Sequence, residues 1–372
     1  MMKKMVNGLK VKTGPQFYLY EEGGISKVSD LLKSSYGAKR VLVTHGTVSW
    51  EKALPKLVFL NDETIQFFYH RYSGECSYAE ARRIATIIKK NEIDFVVGVG
   101  GGKLTDLVGY SANLARIDFG VIPTLASNCA PWTPLAVMYK ENGQAEGKTE
   151  HFYRQAAFFI TDPQLVIDSP VPYFIAGLAD TLAKWYESEL ILEQDFLQDE
   201  SFLKLAQDTA KICKEEILNH SAKAIQDMAQ RKLTSEFKQL SEIIFAVAGL
   251  VGGLGDKYAR NAAAHAMHDA ISKYIPESHR FLHGEKVAYG IFYQLALEGR
   301  WEKIDELYPL YRELELPVSL EQMGLFPKDK QIIDKMAEFI DSKEKVHLIP
   351  IEVTQKSLIQ SMMELEGYIR KI

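Results

Sequence analysis

Cysteine is scarce in this chain of 372 residues. Cys76, Cys129 and Cys213 are the only three, and no two of them stand in a CxxC spacing. That excludes a disulfide framework. Neither sign of charge is in excess: 44 Lys and Arg face 49 Asp and Glu, a formal net charge of −5. Such a balance offers no electrostatic basis for holding nucleic acid or an anionic membrane. Long apolar runs are also lacking. The nearest, FAVAGLVGGLG (Phe245 to Gly255), falls short of a membrane span. The opening MMKKMVNGLKVKTG carries lysines without the apolar segment of a signal peptide. No internal repeat or low-complexity tract is present. Together these absences predict a cytoplasmic enzyme acting on a small-molecule substrate, with neither nucleic acid nor membrane as partner.

The length predicts two domains. From Lys39 to Thr161, short runs rich in β-branched and aromatic residues alternate with helical stretches. The runs are RVLVT (Arg40 to Thr44), IQFFY (Ile65 to Tyr69), FVVGV (Phe95 to Val99), FGVIPT (Phe119 to Thr124) and AAFFIT (Ala156 to Thr161). Ser77 and Glu80 form a capping box for a helix through Lys90, with Ile84, Ile87 and Ile88 as its buried face. Strands alternating with helices predict a parallel, doubly wound, Rossmann-like α/β domain over residues 1–161. After Asp162 and Pro163 the helical period dominates, predicting an all-α domain over residues 162–372. Its helices are expected at Tyr173 to Glu193, Phe202 to Asn219, Ser221 to Arg231 and Glu236 to Tyr274, with DSPVPYF (Asp168 to Phe174) as a connecting loop.

Histidine is scarce, nine in 372 residues, yet four of the nine fall within 19 positions: His265, His268, His279 and His283. ADTLAKWYE (Ala179 to Glu187) adds a helical carboxylate upstream. Imidazoles and a carboxylate converging from separate helices are what a catalytic divalent metal requires, with one position left open for substrate. Asp180 and Lys184, at i and i+4, also fit an ordinary helix ion pair. His265 and His268, at i and i+3, share one helix face, and the surrounding alanines permit close helix packing. His279 reads as a surface residue, and Cys129 equally as packing or as a substrate contact.

A second chemical signal is FVVGVGGGKLTD (Phe95 to Asp106), a buried strand running into three consecutive glycines and then a helix. Glycines there permit close backbone approach and positive φ, so amide N–H groups can face a diphosphate at a helix N-terminus. A tight turn without ligand is the alternative. The pattern is neither G-x-G-x-x-G nor a Walker A sequence.

With the histidine segments, these motifs make the chain resemble the iron-containing alcohol dehydrogenase superfamily, in its glycerol dehydrogenase-like branch. GVGGGK, IPTLASNCAPWTPLAVMY, AGLADTLAKWYE, GLVGGLGDKYARNAAAHAMHDA and FLHGEKVAYG stand in that family's order through nearly the whole chain. NCAPWTPL, DTLAKWYE and VGGLGDKY are most similar to bacterial hydroxycarboxylate dehydrogenases. The resemblance implies the dehydroquinate synthase-like fold, in which a nucleotide-binding α/β domain precedes a helical metal domain. It also implies Asp180, His265 and His283 as metal ligands, and Gly100, Gly101, Gly102 and Lys103 as the diphosphate loop. Thr124, Ser127, Leu135, Val137 and Tyr139 become nicotinamide-side contacts, with NAD or NADP as cofactor. A homo-oligomer is expected.

Two departures from the family pattern bear on chemistry. Where glycerol dehydrogenases carry Thr-Asp-Ala-Pro, this chain reads Asn128, Cys129, Ala130 and Pro131, so the polyol-holding carboxylate is missing. Its loss also removes a charge that would repel an anionic 2-oxo acid. Four residues after Asp180, where iron-type enzymes place a histidine ligand, stands Lys184. An ammonium cannot coordinate, which leaves three protein ligands and favours zinc over iron. After the first of the apolar runs, VLVTHGTVSW carries no acid for ribose hydroxyls and no evident cation for a 2′-phosphate, leaving NAD against NADP open. The expected reaction is reversible hydride transfer to a 2-oxo acid. His268 would be the substrate-side proton group, and Lys184 or Arg260 would hold the carboxylate. Glycerol oxidation is the alternative within the family. A dehydroquinate synthase-like cyclisation is the alternative of another class, with Asp180 in place of the usual glutamate arguing against it.

Overall fold

The computed structural model describes residues 6, 8–325 and 329–372. Residues 1–5 and 7 of the opening stretch read for a leader lie outside them. Six strands form one parallel sheet: β1 (Tyr18–Tyr20), β2 (Arg40–His45), β3 (Gln66–Arg71), β4 (Phe95–Gly100), β5 (Asp118–Pro123) and β8 (Phe158–Thr161), in the order β1-β8-β5-β4-β2-β3. β6 (Leu135–Tyr139) and β7 (Ala145–His151) form a separate antiparallel pair.

The five expected apolar runs all become strands of the large sheet: the inner strands, rich in β-branched and aromatic side chains, are buried, while β3 forms a partly exposed edge. One face packs Val41, Val43, Val97, Val99 and Ile160 against Ile25, Val28, Leu32 and Phe59. Two helices, Tyr78–Lys90 and Gly102–Ala115, pack against each other, and the second also lies against β4 and β5. The capping box at the first of these is half formed. The Ser77 hydroxyl accepts the Glu80 N–H at 3.1 Å, but the Glu80 carboxylate turns to His70 and Arg83 instead of the cap. Ile84 and Ile88 are buried and Ile87 half-buried.

The chain divides into two compact units, and they trade segments relative to a single cut at 161/162. The sheet unit runs from Gly14 to Phe174 and also takes Gln226–Gly249. The other unit holds the described residues up to Thr13, Ile175–Ile225 and the chain from Leu250 onward, and its regular structure is helical.

Three helical expectations need correction. The two helices expected between Phe202 and Arg231 form one continuous helix, Ser201–Ala229, with no break at Asn219. Ala206, Ala210, Cys213, Ile217, Ser221 and Ala224 make a buried stripe at helical spacing through that point. Its burial outweighs the few tenths of a kcal/mol by which Asn and Ser disfavour helix. The expected helix Glu236 to Tyr274 is interrupted: a helical run Ser235–Tyr258 is followed by a separate helix Ala263–Tyr274. That run is long and apolar enough to cross a membrane by length and composition, contrary to the sequence reading, but 67% of its window is buried within the protein. Burial of that extent marks a core helix. The connection at Asp168 is also shorter than expected, since helix resumes at Val171.

Asp106 locks the hairpin to the sheet unit. Its buried carboxylate accepts the Val137 N–H at 2.9 Å through Oδ2, while Oδ1 has no partner among the described residues. Burial pushes its carboxyl up to about 8, against the Val137 hydrogen bond that favours the charged form. An unfolded aspartate titrates near 3.9. Between about pH 4 and 8 the folded chain therefore holds a proton the unfolded chain releases, and stability falls as pH rises. Asp106→Asn keeps an acceptor for Val137 and cannot titrate. Urea unfolding at pH 5 and pH 8 is expected to show a smaller loss of stability in this variant. Equal losses in both proteins would refute the assignment.

Candidate metal centre and nucleotide loop

Three helices of the helical unit deliver the ligand candidates. Asp180 lies on Val171–Leu192, His265 on Ala263–Tyr274, and His283 opens His283–Leu297. Their closeness depends on two glycines of the last helix. A Cβ at Gly284 would stand 1.8 Å from the Ala176 carbonyl oxygen, and one at Gly290 2.3 Å from that of Ala264. Only glycine lets this helix touch the backbones of both partners.

The potential ligand atoms of Asp180, His265 and His283 all lie within 4.8 Å of one another. Asp180 Oδ1 is 3.2 Å from His265 Nε2 and 3.1 Å from His283 Nε2. Ligands at about 2.0–2.2 Å from a tetrahedral ion sit about 3.4 Å apart, so this donor set fits a divalent metal, zinc included. Burial alone would raise the Asp180 carboxyl, but the Lys184 ammonium and the two imidazole hydrogen bonds hold it well below the usual range. Asp180 is thus a carboxylate, the form that coordinates.

The residue that organises this cluster is one the sequence reading passed over. Glu187 lies seven positions after Asp180, on the same helix face. Its Oε1 accepts the N–H groups of Ala262 at 2.6 Å and His265 at 2.8 Å, and its Oε2 lies 2.6 Å from His265 Nδ1. Gln294 accepts the neighbouring N–H groups of Ala263 and Ala264 at 3.0 and 3.2 Å. The alanine-rich helix has no capping side chain of its own. Its free N–H groups are therefore satisfied by side chains from two other helices. With Nδ1 bound to Glu187, His265 presents Nε2 toward Asp180. Burial would lower His265, but the Glu187 charge and the hydrogen bonds to Asp180 and Glu187 outweigh it and raise its pKa.

His268 is buried, its ring centroid 4.1 Å from that of His283 and 6.5 Å from that of His265. Its Nδ1 lies 3.1 Å from Asp269 Oδ1, and its Nε2 3.4 Å from the Ser272 hydroxyl. Burial and the His283 ring push it down to about 3. Lys286, also unrecognised in the sequence, is buried and donates to Ser272 at 2.7 Å. Lys184 is buried beside this group, its ammonium 3.5 Å from the Arg260 carbonyl oxygen. The Arg260 guanidinium lies 3.4 Å from Asp256. His279 is exposed and stands outside the cluster.

The sheet unit holds the expected nucleotide residues. β4 ends at Gly100, Gly101 is extended at φ −88°, and helix begins at Gly102. None of the three glycines has a positive φ, so that expectation is corrected. Space is tight at two of them: a Cβ at Gly100 would meet the end of the Leu104 side chain at 2.6 Å, and one at Gly102 the end of the Asn128 side chain at 2.8 Å, so either neighbour would have to shift. The Thr124 N–H donates to the Gly100 carbonyl at 3.1 Å, joining the ends of β4 and β5. The buried Thr124 hydroxyl has no partner among the described residues, as a group awaiting a ligand would. Leu135, Val137 and Tyr139 alternate along β6 and are half-buried, while Ala136 and Met138 between them are buried. The Lys103 ammonium is 4.6 Å from the Tyr139 ring centroid and is paired with Glu75 at 2.7 Å. Ser127 and Cys129 are half-buried on the loop between β5 and β6. These features fit a bound dinucleotide.

The family model for iron-containing alcohol dehydrogenase matches residues 15–163. Hydroxycarboxylate dehydrogenase A of Escherichia coli (strain K12) is 31% identical over 366 residues, covering 97% of this chain and 99% of that protein. A glycerol dehydrogenase of Thermotoga maritima is 29% identical and covers 96% of each. Among solved structures, a probable glycerol dehydrogenase from Sinorhizobium meliloti 1021 superposes with a TM-score of 0.86 at 25% identity, covering 98% of this chain and 100% of that one.

Glu187→Gln tests the organising role directly. The amide keeps an acceptor for the two backbone N–H groups but turns a donor toward His265 Nδ1, which favours the tautomer that protonates Nε2. Zinc affinity, measured by competition with a chromophoric chelator, is expected to fall about 10- to 100-fold while the fold persists. Unaltered affinity would show that Glu187 does not set the ligand.

Proposed function

Because the chain belongs to the iron-containing alcohol dehydrogenase family of oxidoreductases, we propose that it catalyses reversible, metal-dependent hydride transfer between NAD(P) and a small alcohol or ketone. The preferred pair is a 2-hydroxy acid and its 2-oxo acid. The observation that carries this reading is the convergence of Asp180, His265 and His283 with a buried ammonium, Lys184, one helical turn from Asp180. A divalent metal held by these three would supply Lewis-acid polarisation of the substrate carbonyl, and a nicotinamide dinucleotide would supply the hydride chemistry. Gly100, Gly101, Gly102 and Lys103 hold the diphosphate, with Thr124, Ser127, Leu135, Val137 and Tyr139 beside the nicotinamide.

The remaining roles belong to side chains of the helical unit. Glu187 fixes the His265 ring so that Nε2 faces the metal position. Lys184 offers a cation to a substrate carboxylate, with Arg260 as a second candidate. His268 is the proposed hydrogen-bonding partner of the reacting oxygen, on the route by which its proton arrives. With an ammonium where a fourth ligand would stand, we read the metal as zinc rather than iron. Cys129 supports the oxo-acid preference, because a thiol there neither holds a polyol hydroxyl as a carboxylate would nor repels an anion. Glycerol is retained as a second substrate reading because glycerol dehydrogenases recur among the relatives. We further propose a homo-oligomer.

Turnover of 2-oxobutyrate, 2-oxoglutarate, oxaloacetate and glycerol, each with both nicotinamide cofactors and with or without zinc, checks the substrate class. An oxo acid is expected to give the highest kcat/KM, and a dominant glycerol activity would reverse the preference. His283→Ala is expected to lower kcat/KM by at least about 100-fold and to weaken zinc binding. Full activity in that variant would remove the metal assignment.

A further inference from the structure

The glycine turn after β4 accounts for a diphosphate but leaves the adenosine ribose of a dinucleotide without a partner. Sheet order indicates where that sugar lies. The chain proceeds from β2 outward to β3 on one side, and from β4 to β5 on the other. The winding direction therefore reverses between β2 and β4, and nucleotides bind outside the carboxyl ends of the strands at such a point. Those ends are His45 with Gly46, and Gly100 with the glycines after it.

A site for unmodified ribose places a carboxylate at the end of β2 to accept the hydroxyls. His45, Gly46, Thr47 and Val48 occupy that stretch, and none is acidic. The sequence shows no cation nearby, but the structure supplies one from the next strand. Parallel register pairs His45 with Arg71 and Val43 with Tyr69, so Arg71 and His45 stand side by side at the carboxyl edge. The His45 ring is stacked on Trp50 at 4.2 Å, and Trp50 meets the edge of Tyr69 at 6.0 Å, which places this wall on the face that carries Arg71. His45 Nδ1 is anchored to the Gly46 carbonyl at 2.7 Å.

Arg71 is exposed, and the ion pairs of the described residues do not include it. Nearby carboxylates are engaged elsewhere. Glu80 is held by His70, whose side chain alternates to the opposite face, and Glu75 is held by Lys103. Proximity of Arg71 is also felt at His45, whose pKa burial lowers first and the charges of His70 and Arg71 lower further.

We propose that Arg71, beside the His45–Trp50 stack, binds the 2′-phosphate of NADP(H), so that this chain prefers the phosphorylated cofactor. This rests on the reading that the sheet unit binds a nicotinamide dinucleotide. A guanidinium presents paired N–H donors that match phosphate oxygens. The missing carboxylate acts in the same direction, since it would hold the free hydroxyls and repel the phosphate.

Isothermal titration of the full chain with 2′,5′-ADP and 5′-ADP tests the inference without turnover, and fluorescence titration with NADPH and NADH repeats it with whole cofactors. The wild-type chain is expected to bind the 2′-phosphorylated member of each pair at least about tenfold more tightly. Arg71→Ala should abolish that ratio, Arg71→Lys should keep part of it, and His45→Asp should reverse it toward NADH. Thermal melting reports whether each variant is folded. Should Arg71→Ala fail to fold, the wild-type ratio and Arg71→Lys decide. Equal affinities in the wild type, or a preference that survives in folded Arg71→Ala, would overturn the inference while leaving dinucleotide binding intact. Binding of neither probe would overturn dinucleotide binding and the inference together.

Discussion

One carboxylate holds the helical unit's chemistry in place. Glu187 reaches from the helix that carries Asp180 to the start of the helix that carries His265, where it meets two backbone N–H groups and the imidazole Nδ1. A helix beginning Ala-Ala-Ala-His has no side chain able to cap itself. Its orphan donors, buried among other helices, would each cost about 1–3 kcal/mol if left unmet. Glu187 and Gln294 meet them, and the same contact fixes the histidine tautomer. Secondary-structure termination and ligand geometry are thus one interaction.

Close packing completes the arrangement, and here glycine acts through size. Gly284 and Gly290 let one helix touch the backbone of both its neighbours, bringing His283 to Asp180. The glycine turn after β4 is a milder case: a Cβ at Gly100 or Gly102 would meet the ends of the Leu104 and Asn128 side chains, which would have to shift. The backbone there is extended and then helical, within reach of any residue.

Much of the fold was legible in the chain. The five apolar runs became strands because they are rich in β-branched and aromatic residues, a local property that suits a parallel sheet. The short edge strand Tyr18–Tyr20 and the Leu135–Tyr139 hairpin left no comparable signal. Both depend on partners far away: Tyr18–Tyr20 on Phe159–Thr161, and Val137 on the buried Asp106 carboxylate. Residue spacing also misjudged helix ends. A weak Asn-His-Ser stretch was carried through by its buried stripe, while the run expected to continue to Tyr274 stopped at Tyr258, and helix resumed at Ala263, where Glu187 accepts the N–H of Ala262.

The sequence by itself determined the class of fold, the family resemblance and the candidate metal ligands, since those follow from periodicity and from residue types that only certain chemistry uses. Tertiary structure decided which groups stand beside them. Glu187 and Lys286 look in sequence like ordinary helix-surface charges, and Arg71 like the exposed end of an edge strand. Their placement beside His265, Ser272 and His45 arises from helix packing and strand register, which join residues tens of positions apart and are set by burial and backbone hydrogen bonding rather than by any local pattern.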